Sequence, residues 1–288
     1  MIRLLLLNRL LLIIAQCLGW VLGYCFYVFP NRYRQVTITN LRLVYPDLTP
    51  AQLRQMVLKS CVEAGKTVFE ILLSCCLSGQ FTRSLVVEGQ PPEPVPGRAM
   101  IFISPHLGNW EVMNAFMGAH YQMRILYKTL QYPWADRWMR YVRQRHGTRL
   151  ISVEDGGGLK AIAKAMDRYE VLGLLPDQVP KGKGRVSAPF MHQQAWTGTL
   201  VPKLMQKKQP VVTFVYAERL PWARGFKVHF LREDPPVDGN TADYAAWVNA
   251  GISRLIAMSP TQYTWTYKRF KGTEKEFLYK DSSYQQII

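Results

Sequence analysis

Residues 104–112, "SPHLGNWEV", set an imidazole, a glycine and a carboxylate inside an otherwise apolar stretch. An imidazole titrates near neutral pH, so it can take a proton from a hydroxyl and give it back; a positioned general base contributes about 10²–10⁴-fold. If the preceding "AMIFIS" is a strand and Asn109 or Trp110 opens a helix, His106 sits in the turn at the strand's C-terminal end. Open α/β sheets place ligands at that edge. Gly108 lets the backbone turn tightly, and Glu111, in the first helical turn, can fold back toward the ring. The spacing therefore permits a His106–Glu111 pair in which the carboxylate fixes the tautomer and stabilises the imidazolium. The same pattern also fits a structural histidine at an ordinary strand-to-helix turn. A metal centre is disfavoured, because HExxH is absent and His120, His146, His192 and His229 are scattered.

Three other stretches bear on the chemistry. Residues 124–149 carry Arg124, Lys128, Arg137, Arg140, Arg143, Arg145 and Arg149 against Asp136 alone, which reads either as a cationic mouth or as a solvated helix face. "LPDQVPKGKGRVSAPF" places Asp177 and Gln178 at the end of another apolar run. A glycine-lysine loop with Lys181 and Lys183 follows and ends at Arg185; such a backbone can approach a phosphate closely. "SPTQYTWTYKRFK" interleaves Tyr263, Trp265, Tyr267 and Phe270 with Lys268, Arg269 and Lys271, a mixture suited to a membrane-water interface or to stacking on nucleic acid. The glycines of "EDGGGLK" suit a flexible turn better than an anion cradle.

Positioning these residues needs a scaffold, and the hydrophobic pattern supplies one. Short apolar runs ("AMIFIS", "MRILY", "RLISV", "VLGLLP", "PVVTFVYAER") alternate with helical periodicity over residues 134–146, 159–169 and 199–208. "GFKVHFLRE" adds a strand and residues 244–258 a helix. That alternation predicts an α/β fold with a mainly parallel central sheet flanked by helices. Upstream, Thr49, Pro50 and Gln52 form a capping box that starts a long helix. Leu53, Met56, Val57, Ala64, Val68, Ile71 and Leu72 recur along it at a spacing that predicts one buried face. "GQPPEPVPGR" reads as a surface connection.

At 48% hydrophobic residues the chain has material for one substantial core and is too apolar to be disordered. The net charge of +16 favours an anionic partner, whether lipid, nucleic acid or acidic protein. Five cysteines without a CxxC pair fit reduced, packing thiols. Residues 10–30 carry no charge; about 21 helical residues at 1.5 Å each reach roughly 31 Å, close to the thickness of a bilayer's hydrocarbon. Residues 1–30 therefore read as an uncleaved membrane anchor, with a buried core helix or an interfacial helix as alternatives, and residues 31–288 as the main domain. Arg3 and Arg9 before the run nearly balance Arg32, Arg34 and Arg42 after it, so charge alone leaves its orientation open.

Taken together, the N-terminal apolar segment, "TNLRLVYPDL", "SPHLGNWEV", "LPDQVPKGKGRVSAPF" and "SPTQYTWTYKRFK" resemble the bacterial lipid A biosynthesis (lauroyl/myristoyl) acyltransferases, relatives of the glycerolipid acyltransferases. The resemblance implies a late acyltransferase without a cofactor. Acyl carrier protein would be the donor, and the acceptor a hydroxyl on an acyl chain of a phosphorylated glucosamine lipid, met at the cytoplasmic face of the inner membrane. The catalytic pair would fall on His106 and Glu111. The family's basic residue would fall on Arg145, its Asp-Gln pair on Asp177 and Gln178, and a further basic position on Arg185. Backbone N–H groups near Asn109 and Trp110, or an arginine, would hold the oxyanion, and arginines with Lys181 or Lys183 the phosphates. "SAPFMHQQAWTG" departs from the family pattern, which keeps an acyltransferase for another anionic glycolipid in view. A non-catalytic, membrane-tethered basic lipid-binding protein is the reading from another class; no nucleic-acid motif is present.

Overall fold

The computed structural model describes residues 2–152 and 158–286, so the glycines of "EDGGG" fall largely outside the described residues. Helices α1 (Ile2–Val28), α2 (Arg32–Val44), α3 (Pro50–Cys76) and α4 (Gly79–Ser84) lead to the short strand β1 (Val86–Glu88). The alternating part follows: β2 (Met100–Ile103), α5 (Trp110–Tyr121), β3 (Arg124–Tyr127), α6 (Pro133–Gln144), β4 (Arg149–Ser152), α7 (Gly158–Asp167) and β5 (Val171–Leu174). Next come β6 (Arg185–Phe190), β7 (Gln193–Gly198), α8 (Leu200–Lys208), β8 (Val211–Arg219), β9 (Phe226–Leu231) and α9 (Thr241–Met258).

Seven strands form one sheet in the order β1-β9-β8-β2-β5-β3-β4, parallel throughout except where β9 turns back on β8. β2 and β5 lie side by side at its centre, and every residue of both is buried. That burial on two faces is why their sequences are continuous apolar runs instead of alternating ones. Ile101, Ile103, Leu172, Leu174 and Phe214 pack on one side with Val201 and Ile252 of α8 and α9. Met100, Phe102 and Val215 pack on the other with Val112, Met113 and Met117 of α5. The expected α/β architecture is thus the observed one, and the Thr49–Gln52 capping box with Pro50 in the first turn starts α3 as predicted.

Arg185 opens an antiparallel β6–β7 hairpin, closed by Met191 and His192 at positive φ (46° and 68°). One expectation is corrected. "QYTWTYKRFK" is core rather than a membrane-facing band: Tyr263, Trp265, Arg269 and Phe270 are all buried. Asn40 of α2 donates to the carbonyls of Trp265 (2.6 Å) and Tyr267 (2.8 Å), which holds this segment inside.

Helix α1 is long and apolar enough to cross a membrane. It also packs along α3: Gly19 and Gly23 meet Gly65 so closely that a Cβ on Gly23 would stand 2.4 Å from the Cys61 carbonyl oxygen, and one on Gly65 2.2 Å from that of Gly19. Gln16 donates to Glu70 across the same contact (2.9 Å). Leu10, Ile13, Ile14, Leu18, Trp20, Val21 and Tyr24 stay exposed on α1, and so do Val68 and Leu72 of α3, which the periodicity had placed inside. An exposed apolar area of this kind marks a surface for lipid or protein. Gly23→Leu should push the two helices apart at a cost of about 1–3 kcal/mol, read as a lower unfolding midpoint in detergent; an unchanged midpoint would show the contact to be loose.

Candidate active site

The sheet topology brings the two chemical stretches together. β2 and β5 are paired in parallel with Ile103 opposite Leu174, and His106 and Asp177 each lie three positions beyond that pair. Residues separated by much of the chain therefore emerge side by side at the sheet's C-terminal edge, where ligands bind in such folds. The His106 backbone N–H donates to Asp177 Oδ2 (2.9 Å), and the ring Nδ1 lies 2.7 Å from Oδ1. The Thr264 N–H (2.9 Å) and hydroxyl (2.8 Å) both donate to the His106 carbonyl. Gly108 follows at φ 63°, and a Cβ there would stand 1.9 Å from the Ala217 carbonyl oxygen, so only glycine fits.

With Nδ1 committed to Asp177, Nε2 is the nitrogen left for chemistry, and the Gln178 amide nitrogen lies 3.4 Å from it. Trp110 sets its ring edge-on to the imidazole at 5.3 Å between centroids. Burial works against a charged imidazole, yet the Asp177 carboxylate more than reverses this and holds the His106 pKa above its ordinary value. Burial would likewise raise the Asp177 pKa, but its hydrogen bonds and charge pairing with His106 hold it below the usual carboxylate range. Tyr263 also hydrogen-bonds this carboxylate, and burial first, then Asp177, pushes the Tyr263 hydroxyl's pKa well up.

The carboxylate against the imidazole is thus that of Asp177, where the spacing had suggested Glu111. Glu111 is buried in the same cavity wall and accepts from Arg143 (2.6 and 3.2 Å). Burial opposes the Arg143 charge, and Glu111 more than restores it. Asn109 is occupied as the cap of α5: its side-chain oxygen accepts from the Glu111 and Val112 N–H groups (3.1 Å each), and its own N–H donates to the Ala217 carbonyl (3.1 Å). That N–H is therefore committed and does not point at a substrate.

Arg145 donates to the carbonyls of Ser74 (2.6 Å) and Cys75 (3.3 Å) at the end of α3, and Arg185 stacks on the Trp196 ring at 4.6 Å; neither lines the cavity. Arg143 does. The signal for it was present in the sequence, since Asp136, Met139, Arg140 and Arg143 share one face of α6 at spacings of three and four. Three cations of this region are paired with acids: Arg124 with Glu170, Arg143 with Glu111 and Arg140 with the region's own Asp136.

A cavity of about 500 Å³ opens at His106. Its mouth holds His106, Gln178 and Lys128, and its body runs between α5 and the sheet past Phe102, Met113, Met117 and Met123. The arrangement is a general base at the entrance of an apolar pocket, with a guanidinium–carboxylate pair in the wall. It suits proton removal from a hydroxyl beside a long apolar group.

Comparison with known proteins identifies relatives of this chain. The family described as bacterial lipid A biosynthesis acyltransferase matches residues 4–272. The chain is similar to the lipid A biosynthesis lauroyltransferase of Escherichia coli K12, 24% identical over 261 residues, 88% of this chain and 84% of the relative. It is also similar to the lipid A biosynthesis palmitoleoyltransferase of the same organism and to a lipid A biosynthesis acyltransferase of Shigella flexneri. Each is 26% identical over 263 residues, 88% of this chain and 84% of the relative.

Proposed function

The chain belongs to the bacterial lipid A biosynthesis acyltransferase family, and on that premise we propose that it is a secondary acyltransferase moving a fatty acyl group from acyl carrier protein to a hydroxyl on an acyl chain of a phosphorylated glucosamine lipid. The observation that carries this reading is the imidazole tied through Nδ1 to buried Asp177, with Nε2 at the mouth of the apolar cavity. His106 Nε2 takes the proton of the acceptor hydroxyl as its oxygen attacks the thioester carbonyl. The tetrahedral intermediate then collapses, the C–S bond breaks, and the departing sulfur receives that proton from the imidazolium. No acyl-enzyme is needed. Asp177 fixes the tautomer and steadies the imidazolium. Glu111, ion-paired with Arg143, stands in the same wall. Gln178 and Lys128 stand at the entrance for the polar part of either substrate.

The net charge of +16 supports recruitment of an acidic carrier and an anionic lipid. Membrane attachment is supported by the exposed apolar face of α1 and by Trp134, Trp138 and Tyr141, exposed on one face of α6. These features fit a protein at the cytoplasmic face of a bacterial inner membrane, where donor and acceptor meet.

Detergent-purified protein, incubated with acyl carrier proteins bearing different chains and a phosphorylated lipid A precursor, should yield product heavier by one acyl group. If another enzyme turns over the same substrates and this one gives no product, the acceptor assignment is wrong. Asp177→Asn should lower the plateau rate about 10²–10⁴-fold by releasing the tautomer. It should also shift the acid limb: neutral His106 is the active form, the Asp177 charge raises its pKa, and removing that charge moves the fall in activity to lower pH. An acid limb moving to higher pH would contradict the arrangement.

A further inference from the structure

Within the apolar cavity one position is out of keeping with its strand. β5 is central, parallel and buried on both faces, an environment that selects Leu, Ile and Val, yet it carries Gly173. A glycine inside a strand marks a bend or a place where something must approach the backbone closely. β5 here is regular, paired residue for residue with β2 and opposite Phe102 at this position. A Cβ on Gly173 would stand 2.7 Å from Met123 Sδ, 3.0 Å from Met123 Cε and 3.1 Å from Ile125 Cγ2, and all three residues line the cavity. The missing side chain is therefore what lets Met123 seat directly against β5 instead of standing out into the cavity.

The surrounding groups form the end of the pocket away from His106. Phe102 is backed by Tyr121 (4.9 Å between centroids) and Phe230 (6.3 Å), so its ring has no free volume behind it. Met117 and Met123 are buried, unbranched and able to change rotamer, which makes them the adjustable part of an otherwise fixed wall. Counting seven helical residues from Trp110 at the mouth to Met117 gives a depth of about 10 Å.

Resting on the acyl-transfer reading above, we infer that Gly173, with Met123 and Met117 across from it, sets the length of the acyl chain this protein accepts. Bulk at position 173 drives Met123 into the chain's path, whereas shortening Met117 deepens the pocket. Each buried methylene is worth roughly fourfold in binding, so losing room for two changes the preference about fifteenfold.

The test uses full-length protein in detergent and a ladder of acyl carrier proteins whose saturated chains differ by successive even-numbered steps, each scored by kcat/KM. Gly173→Val should raise the ratio of shorter to longer chain transfer at least tenfold, and Met117→Ala should move it the opposite way. Gly173→Ala, the milder change, should shift it in the same direction as Gly173→Val, and serves if the valine variant does not fold. Binding of free saturated fatty acids, followed by native mass spectrometry, separates the two levels of the argument. Transfer by wild type with unchanged chain ratios in all three variants overturns the length assignment and leaves the acyltransferase reading standing. Fatty-acid binding whose length preference moves with position 173, in a protein that transfers nothing, supports the pocket and overturns the reaction.

Discussion

His106→Ala should lower kcat for acyl transfer by about 10²–10⁴-fold, because the imidazole placed to take the hydroxyl proton at the cavity mouth is gone. The expected loss is in kcat rather than KM, since the imidazole acts on the proton in flight and the acyl chain is held by the apolar wall beyond it. The alanine variant also strips one partner from a buried carboxylate. Asp177 keeps the His106 backbone N–H and the Tyr263 hydroxyl, so the stability cost should stay at about 1–3 kcal/mol. His106→Gln separates the two effects: its amide can still donate to Asp177 but cannot serve as a base near neutral pH. A glutamine variant with wild-type unfolding midpoint and the full loss of rate identifies the base. One that retains transfer within tenfold of wild type removes His106 from that role.

How the sequence announced this site, and where it fell silent, follows from which contacts are local. β2 and β5 were legible because burial on both faces leaves each as an apolar run, and the turn after β2 was legible because Gly108 and the acidic first turn of α5 lie within a few residues of His106. Which carboxylate meets the imidazole is not local. It depends on β5 lying beside β2 with Ile103 opposite Leu174, and nothing near His106 or Asp177 encodes that neighbour relation. The nearer acid, Glu111, was the natural candidate on spacing and is held instead by Arg143, one turn along α6 from Arg140 and two from Asp136.

Two further stretches were hidden, one by its turn chemistry and one by distance along the chain. Met191 and His192 close the β6–β7 hairpin at positive φ without a glycine or asparagine to advertise it, so the turn chemistry was invisible. The aromatic-basic tail looked like an interfacial band because its partners are far away in the chain. Arg269 is buried against the Trp196 carbonyl (2.8 Å), Thr197 (3.3 Å), Asn249 (3.4 Å) and the Phe190 ring (4.5 Å), and no pattern within residues 261–271 reports those contacts. The exposed aromatic stripe that does exist, on α6, was read for its arginines.

The largest stability effect should come from a buried ionic cluster that joins α1, α3 and β8 beneath the site. The Arg219 guanidinium, 2% exposed, donates to both Glu70 oxygens (2.6 Å each), to Glu63 (2.5 Å) and to the Thr67 hydroxyl (2.8 Å), and the surrounding carboxylates raise its pKa against the effect of burial. Glu70 also accepts from Gln16 of α1 and, at 3.4 Å, from the Asn109 amide that caps α5. Gln262 bonds the Arg219 backbone on both sides and accepts from the Gly108 N–H. Arg219→Met leaves Glu70 charged, buried and without its cation, which costs about 3–5 kcal/mol and should lower the unfolding midpoint by about 10 °C. Glu70→Leu with Arg219→Met removes the stranded buried charge, while Glu63 keeps its pairing with Lys66 (2.8 Å), and should recover most of that loss, since apolar groups of similar volume often substitute for a buried pair without penalty. The double variant should nonetheless transfer acyl groups more slowly than wild type, because Asn109 loses its carboxylate partner under the turn that carries His106. A single variant with an unchanged midpoint would mean that water reaches Glu70, and the network would then be a solvated ion pair and not the joint between α1 and the turn that carries His106.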